Sequence, residues 1–272
     1  VNSFRFAFKE KAELVCSRVT DIKLTDTLQT VVTEDSEYQC RLIVLATGGN
    51  DGLLNKLGVS RRTHPSLISL SFAFDMHVVN HDYFPFSGFN YFLSDHSSGV
   101  DYATIFKIGD KMRVNIFTQW TLKSENAREF KRSPYDSLKR YFPDLIKEIG
   151  GYKITSKVQF YPTSFYRLTN VMKPGLVVIG DEYQSVSPTT GSGLDKVTID
   201  VERLCTDYVP EWLKSPGMGS DKIKAYYKDP DKRMTDRHSL DKWISYRDMH
   251  RGFLGRQRSR VESKVKGLLN LW

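Results

Sequence analysis

The sequence has few cysteines and no long apolar run. Three cysteines occur among its 272 residues, and Cys16, Cys40 and Cys205 form no Cys-x-x-Cys pair. We therefore predict neither a disulfide framework nor a cysteine zinc site, and expect reduced cysteines that mostly serve packing. No run of about 18 apolar residues is present to span a membrane, and the first residues lack the apolar core and cleavage site of a signal peptide. We predict a cytoplasmic protein without a transmembrane segment.

Several signatures of catalytic and nucleotide-binding sites are also missing. There is no Gly-x-Ser-x-Gly nucleophile motif. His77 and His81 lack the glutamate of the metalloprotease motif and lie at the end of strand-like sequence, where this spacing does not bring two rings together. We therefore predict no metal site. No Gly-x-Gly-x-x-Gly follows a strand, since Gly217-Met-Gly219 follows a proline and leads to Lys222.

Basic residues are concentrated near the carboxy terminus. From Lys222 to Trp272 there are 14 lysines and arginines against 6 acidic residues, an excess that equals the formal net charge of +8 of the whole chain. A basic end could bind nucleic acid or an anionic membrane surface. Its charges alternate with acids and aromatics, however, which is typical of a solvated helix face, and we expect no nucleic-acid partner.

Two short apolar runs predict buried strands of a parallel sheet. Residues 42–46 and 176–179 are apolar without alternation, as expected for strands that are covered on both faces. Between them, apolar and polar residues alternate from Ile68 to Val78, which predicts a strand with one face on a core.

Further strands and helices follow from the same patterns. Strands are expected at 91–93, 102–108, 112–118 and 154–161, and helical spacing runs from 125 to 149. The strands predict an antiparallel sheet that is inserted between the two buried runs. The fold class is therefore α/β, or α+β overall.

The run that follows the second buried strand carries the chemistry. Asp181 comes directly after that strand and lies at the carboxyl edge of the sheet, where open α/β folds bind ligands. Pro188 turns the chain, and Gly191 and Gly193 remove side chains where backbone approaches a ligand. A helix that begins near Gly193 directs free N–H groups at an electron-rich group. The local pattern is equally compatible with glycines that only turn and cap the chain.

This run resembles the second flavin fingerprint of the para-hydroxybenzoate-hydroxylase-like (group A) FAD-dependent monooxygenases. The usual form of that fingerprint is Gly-Asp-Ala-x-His, then Pro, then Gly-x-Gly. The stretch from Leu42 to Gly52 resembles the family's strand and Asp-Gly motif, and the antiparallel block resembles its substrate domain. The resemblance covers nearly the whole chain, with the three features in the family order.

The resemblance implies an FAD-dependent monooxygenase that uses NAD(P)H and O2 to oxygenate a small apolar or aromatic organic substrate. In the family, the aspartate that matches Asp181 binds the ribityl chain, and the residues that match Pro188 to Leu194 face the isoalloxazine ring. The implied cofactor-binding residues are Thr47, Gly48, Gly180, Asp181, Pro188, Gly191, Ser192, Gly193 and Leu194. No catalytic residue is predicted.

The resemblance also implies three parts. An incomplete, discontinuous Rossmann-like FAD-binding domain comprises residues 1–62 and 165–210, an antiparallel β substrate domain comprises 63–164, and a helical carboxy-terminal region comprises 211–272. In the substrate domain, the aromatic cluster at 83–92 either lines an apolar pocket or packs in the core. Tyr161, Tyr166 and Arg167 are candidates for substrate contact.

Three departures separate the sequence from the family pattern. Gln184 stands where the family has a histidine, and Asn55 and Gly58 replace the Ser and Arg of the Asp-Gly motif, so the nucleotide contacts of those family residues are not implied. The amino-terminal Gly-x-Gly-x-x-Gly unit has no counterpart, and the chain begins on Val1 rather than methionine. We expect the carboxy-terminal two-thirds of such an enzyme, or a variant without this unit, which a missing segment or a partner chain completes.

Other functions remain open at this stage. The chain is alternatively a non-catalytic or incomplete fragment or subunit of such a flavoprotein, or a flavin-dependent reductase of the geranylgeranyl type. A flavin halogenase is expected to carry a Trp-x-Trp-x-x-Ile run, and no such run is present.

Overall fold

In the part of the chain that the structure describes, the strands form three sheets. The computed structural model describes residues 6–8, 10–48, 51–79, 86–93 and 97–249. The first sheet is an antiparallel meander of β1 (Val19–Lys23), β2 (Gln29–Thr33) and β3 (Glu37–Cys40). It occupies the strand-rich sequence that precedes the first buried run.

The second sheet is parallel and has two strands, β4 (Ile43–Leu45) and β11 (Leu176–Val178). These are the two apolar runs of the sequence, and their parallel pairing confirms the predicted α/β element. All three residues of β11 are buried. The outer edge of β11 is closed by Tyr227, whose hydroxyl accepts a hydrogen bond from the Val178 amide at 2.8 Å and donates one to the Val178 carbonyl at 3.3 Å.

The third sheet is the predicted antiparallel sheet, with strand order β10-β5-β8-β7-β6 and with β9 paired to β5. Its strands are β5 (Ser60–Val78), β6 (Gly88–Phe92), β7 (Val100–Ile108), β8 (Lys111–Thr118), β9 (Tyr152–Ile154) and β10 (Gln159–Thr169). β5 is longer than the alternation predicted, because residues 60–63 also pair with the end of β10. The expected alternation in β5 from Ile68 onward is present.

The helical sequence between β8 and β9 forms three short helices rather than one. Helix α1 (Asp51–Lys56) precedes them in the chain, and the three are α2 (Glu125–Arg132), α3 (Pro134–Tyr141) and α4 (Pro143–Ile149). Pro134 and Pro143 each begin a new helix, because proline has no N–H to donate and favours the first helical position. The helical spacing of the apolar residues persists across the breaks.

The remaining helices follow β11. They are α5 (Gly180–Tyr183), a 3-10 turn (Pro188–Thr190), α6 (Gly193–Glu202), a π-helical segment (Arg203–Tyr208), α7 (Val209–Leu213), α8 (Ser220–Tyr227) and α9 (Pro230–Met249). The helical carboxy-terminal region is thus confirmed as far as residue 249. The basic tail is not wholly solvated, since Lys232 and Asp236 of α9 are buried.

The two larger of the three apolar clusters among the described residues stabilise these layers. The first surrounds β4 and β11 and includes Leu54, Val177 and Tyr226, all at most 1% exposed. The second lies between one face of the antiparallel sheet and helices α2–α4, with Phe72 and Phe130 fully buried and their rings 4.3 Å apart. The proposed domain boundaries stay a prediction.

Two kinds of feature are absent from the described residues. No helix there combines the length and apolar character that a bilayer crossing needs. In the same residues, no group of three or more His, Cys, Asp or Glu side chains has a geometry that suits a metal ion.

We expect Tyr227→Phe to lower the free energy of unfolding by about 1–3 kcal/mol, because it leaves the Val178 amide buried without a partner. Tyr135→Phe is the matched control, since the Tyr135 hydroxyl accepts from the Ile154 amide in an exposed setting. Its effect should stay below about 0.5 kcal/mol. Urea unfolding measures the free energy of unfolding of both variants. Equal losses of this free energy would show that Tyr227 does not close a buried strand edge.

Candidate functional site

The site begins where β11 ends. The Ile179 amide donates to the Leu45 carbonyl at 3.1 Å, which extends the parallel pairing by one bond. The next residue, Gly180, has φ +60°, a backbone conformation that favours glycine. A Cβ on Gly180 would also lie 3.4 Å from Val197 Cγ2, in tight contact. This turn places Asp181 at the carboxyl edge of the sheet, as predicted.

Asp181 lies beside the start of α6. Its Oδ1 is 4.0 Å from the position that a Cβ on Gly193 would occupy, so the missing side chain keeps this space open. The Tyr166 hydroxyl donates to the Asp181 backbone carbonyl at 2.6 Å. Burial raises the pKa of the Asp181 carboxyl, and the nearby Lys196 ammonium opposes that rise. The two parts of the fingerprint therefore converge in space.

The loop between Asp181 and α6 is open at its tip. Pro188 begins a 3-10 turn, and Gly191 has φ +64° with no described atom within 4 Å of the position that a Cβ would occupy. Ser192 is buried, its hydroxyl lies 2.8 Å from that of Thr190, and it makes no side-chain cap to α6. Leu194 in the first turn is 74% exposed. The first N–H groups of α6 therefore have no side-chain cap and remain available to a ligand.

Thr47 and Gly48 lie at the carboxyl end of β4, next to α5. The Thr47 hydroxyl donates to Glu182 Oε2 at 2.5 Å, and Glu182 is fully buried. Arg61 contacts Glu182 Oε1 at 3.4 Å, and its guanidinium lies 4.1 Å from the centre of the Tyr166 ring. Gly48 has φ +69°, and no described atom lies within 4 Å of the position that a Cβ would occupy. Thr47 thus joins the two strand ends.

Gln184, which replaces the family histidine, is a structural residue here. It is fully buried, accepts from Arg167 Nε at 2.6 Å, and donates to the Asp236 carbonyl at 2.8 Å and to Ser239 Oγ at 2.9 Å. It therefore connects α5 with β10 and α9. Arg167 donates to Gln184, and its role in substrate contact stays a prediction.

An aromatic row crosses the antiparallel sheet on the face opposite the second core. Its members pair directly across five strands: Tyr161 with Ser71, Ser71 with Phe117, Phe117 with Tyr102, and Tyr102 with Phe92. The three contiguous rings are 4.7 Å and 5.0 Å apart between centroids. Ser71 is the small residue in the row and lies buried between two aromatic side chains.

The middle of this row is tethered to the loop of the site. The Tyr102 hydroxyl donates to the Thr189 carbonyl at 3.2 Å, and burial raises the pKa of Tyr102 to about 12. The buried Asp101 accepts from Thr189 Oγ1 at 3.2 Å and from Gln119 Nε2 at 2.8 Å. The sheet and the loop are therefore held together through Thr189. We call Tyr161, Ser71, Phe117, Tyr102 and Phe92 the aromatic row.

The predicted aromatic cluster divides between the two faces of the sheet. Phe89 and Tyr91 pack against the second core, whereas Phe92 is 62% exposed at the end of the aromatic row. Residues 83–85 of the cluster, like His81, lie outside the described residues.

A groove of about 820 Å³ opens along the free edge of β4. It is lined by the meander, by β4 and by α1, with Val19, Ile22, Val31, Val44 and Leu53 among its apolar residues. Ile43 donates to the Gly175 carbonyl at 2.8 Å, so the alternating strand geometry directs the Val44 amide into the groove. Val44 is 43% exposed. No hydrogen bond from another described residue reaches its amide.

The fold is that of flavin-dependent halogenases and monooxygenases. The chain is similar to the flavin-dependent brominase Bmp2, with a TM-score of 0.65 and 15% sequence identity over 94% of this chain and 66% of that one. It is similar to the halogenase PltM, with a TM-score of 0.68 and 14% identity over 92% of this chain and 54% of that one. It is also similar to p-nitrophenol 4-monooxygenase PnpA from Pseudomonas putida DLL-E4, with a TM-score of 0.58 and 16% identity over 92% of this chain and 63% of that one. No protein-family model matches the sequence, and no curated protein matches it significantly. The chain spans about half to two thirds of the length of these structures.

These similarities confirm the resemblance at the level of the fold. They do not single out the para-hydroxybenzoate-hydroxylase-like group, because halogenases are also among the similar structures. The absence of a Trp-x-Trp-x-x-Ile run therefore does not separate this chain from halogenases in fold. The assigned cofactor-binding residues stay a prediction that the geometry supports.

Sequence patterns missed two groups of residues at the site. Glu182 and Arg61 join the strand ends, but in the sequence they are ordinary charged residues. Lys196 and Asp200 lie four apart on α6 and are buried, and their spacing is that of a common surface ion pair. The apolar positions around them carried no signal that this face of the helix is buried.

The raised pKa of Asp181 predicts a pH-dependent stability effect. Stability associated with this carboxyl is present below its unfolded pKa of about 3.9 and is lost as the pH rises through the higher folded value. Asp181→Asn cannot ionise, so we expect it to unfold at higher urea concentration than the wild type at pH 7. The difference should shrink below about pH 4.

Asp110→Asn is the matched control, because Asp110 lies in an exposed hairpin turn far from the site. Asp110→Asn should unfold at the same urea concentration as the wild type, both at pH 7 and below about pH 4. If Asp181→Asn is no more stable than the wild type at pH 7, the pKa of the Asp181 carboxyl is not raised in the folded protein.

Proposed function

We propose that this chain binds the flavin half of FAD and acts in an oxidoreductase of the monooxygenase type. The observation that carries this proposal is the convergence of Asp181, at the end of a buried parallel strand, with the uncapped start of α6 at Gly193. A carboxylate and a set of free amides are thereby presented to one open space. A ligand that fits both needs hydroxyl donors next to an electron-rich group.

The flavin half of FAD has this pattern of groups. Its ribityl hydroxyls can donate to the Asp181 carboxylate, and the pyrimidine edge of its ring, which carries negative charge when reduced, suits the positive end of α6. Gly193 admits the cofactor because no side chain occupies the space next to Asp181. The residues present therefore fit the group.

The bound cofactor would supply the electron-transfer and oxygen chemistry, with NAD(P)H as reductant and O2 as oxidant. The protein residues would do four things. Asp181 would hold the ribityl chain, and the amides of α6 would stabilise negative charge on the ring. The loop at Pro188 to Gly191 would shape the open space, and the sheet face would orient a substrate and exclude water.

The aromatic row is the proposed contact surface for a small aromatic or apolar organic substrate. Its rings present one face away from the core, and Tyr102 connects the row to the loop of the flavin site. Aromatic rings favour stacked or edge contacts with other rings, and Phe92 and Tyr161 at the two ends of the row are exposed. Tyr161 keeps its predicted role in substrate contact here, since it lies at the end of the row.

A further unit would hold the adenosine half of FAD. We propose that it adds a parallel strand to the free edge of β4, where the Val44 amide points into the apolar groove. A two-stranded parallel sheet is unusually small, because parallel sheets are normally larger and covered on both faces. The unit would be a missing segment or a partner chain, as the sequence led us to expect. Without it, the chain would be a non-catalytic subunit or fragment.

A halogenating activity is the second candidate, because brominase Bmp2 and halogenase PltM share the fold. It would use the same cofactor site, and it differs in requiring a halide ion.

We also propose a cytoplasmic location, since Cys16 and Cys205 are exposed free thiols and such thiols persist in reducing compartments.

Titration with riboflavin, followed by quenching of flavin fluorescence, tests the proposed function. We expect the chain to bind riboflavin, and Asp181→Ala to weaken binding about tenfold or more, because a hydrogen bond to a charged group contributes about 1.5–3 kcal/mol. Asp110→Asn should bind as the wild type does. Absence of riboflavin binding to the wild type, with the fold intact, would overturn the proposal.

The same titration with FAD tests the second unit. If this chain holds only the flavin half, FAD and riboflavin should bind with affinities within about threefold of each other. An FAD affinity that greatly exceeds that of riboflavin would show that the chain itself binds the adenosine half, and the proposed completion at β4 would be wrong.

The aromatic row predicts the effect of two matched substitutions on binding of 4-nitrophenol as a probe. Phe117→Ala should weaken binding about three- to tenfold, because a favourable aromatic pair contributes about 0.5–1.5 kcal/mol beyond area burial. Phe106→Ala removes a ring from the same face of the sheet, four residues along β7 from Tyr102, and should have little effect. Equal effects in a binding titration would place the substrate elsewhere.

A further inference from the structure

Four charged side chains form a buried cluster directly beneath Gly180. Lys196 and Asp200 belong to α6, Lys232 and Asp236 to α9, and all four are at most 4% exposed. The Lys196 ammonium lies 2.9 Å from Asp200 Oδ2 and 3.3 Å from Asp236 Oδ1. The Lys232 ammonium lies 2.8 Å from Asp200 Oδ1 and 3.3 Å from Asp236 Oδ2. The two cations and two anions thus alternate, and their formal charges cancel.

This buried quartet bonds to both peptide groups of Gly180. Asp200 Oδ2 accepts from the Gly180 amide at 2.9 Å, and Lys196 donates to the Gly180 carbonyl at 3.2 Å. Hydrogen bonds to ionised groups are roughly twice as strong as neutral ones, and they are stronger still away from water. The Gly180 carbonyl also accepts from the Gln184 amide at 3.2 Å, so ions and backbone together hold the peptide that leads into Asp181.

Global stability does not account for this arrangement. Removing two ion pairs from water is costly, and apolar residues of similar volume often stabilise a fold equally well or better. What apolar residues cannot do is hold the Gly180 amide and carbonyl in one orientation. The geometry of the quartet therefore indicates a role at the site.

We propose that Lys196, together with Asp200, is a positioning residue that fixes the peptide groups on both sides of Gly180 and so orients the Asp181 carboxylate toward its ligand. This inference rests on the proposed function for the identity of the ligand, the flavin ribityl chain. Lys196 acts through Gly180 and Asp181 and does not itself touch the ligand. The role links α9, which supplies half of the quartet, to the site.

The electrostatics agree with this assignment. Burial raises the pKa of Asp181, and Lys196 is the cation that lowers it. Burial also acts to raise the pKa of Asp200, but Lys232 and Lys196 together outweigh burial and bring it below the ordinary value. The other titratable groups that face the quartet are Tyr183, Tyr226 and Tyr227.

The second lysine supplies an internal control. Lys232 contacts the same two carboxylates, and its ammonium lies 4.2 Å from the centre of the Tyr183 ring. It makes no contact with Gly180 among the bonds of the described residues. Both lysines pair with Asp236, so either can be removed together with that carboxylate without leaving a net buried charge.

The test compares K196M/D236N with K232M/D236N. Each variant removes one buried cation and one buried anion, but only the first removes the bond to Gly180. We expect K196M/D236N to raise the pKa of Asp181, measured by NMR titration of its carboxyl carbon, and to weaken riboflavin binding about tenfold. K232M/D236N should leave the acid dissociation constant of Asp181 and the riboflavin affinity within about threefold of the wild type. The two double variants should lose a similar free energy of unfolding.

Each outcome decides the inference. Equal effects of the two variants on Asp181 titration and riboflavin affinity, or an unchanged Asp181 titration in K196M/D236N, would overturn it. If wild-type protein binds no riboflavin, the proposed function fails, and the Asp181 titration still decides the role of Lys196. If either variant does not fold, K196M/D236M and K232M/D236M replace the pair, because apolar side chains then fill the space of the removed ions.

Discussion

The site depends on the turn at Gly180, where a buried parallel strand must end and release an aspartate toward solvent. The strand is held by backbone bonds to β4, and the turn is held by Asp200 and Lys196. Between these two sets of bonds the chain has little freedom, because Gly180 also adopts φ +60° against Val197. Asp181 is therefore placed by its surroundings rather than by its own contacts. That is the property expected of a residue that must meet a ligand.

The elements around this turn connect three layers of the protein. Glu182 joins α5 to Thr47 at the end of β4, Gln184 joins it to α9, and Thr189 joins the following loop to the antiparallel sheet. A ligand at Asp181 would consequently touch a loop that is tethered to the aromatic row. This connection gives a physical reason why cofactor and substrate sites would lie next to each other in this fold.

Much of this architecture could be predicted from local patterns. The parallel pairing of 42–46 with 176–179 follows from their unbroken apolar character, and β5 follows from its alternation. The prediction of a single helix at 125–149 was wrong, because Pro134 and Pro143 each begin a new helix. The buried quartet could not be predicted, since an i, i+4 Lys–Asp pair is normally exposed and only the packing of α9 on α6 buries it. The aromatic row depends on the register of five strands, which no local pattern specifies.

The central claim is that Asp181 and the start of α6 bind one ligand, the flavin ring with its ribityl chain. Riboflavin titration followed by two-dimensional amide NMR tests it most directly. The account predicts that the largest shift changes occur at Gly180, Asp181 and residues 191–193, with smaller changes at Thr189. Changes confined to the groove beside β4, or no changes at saturating riboflavin, would contradict it.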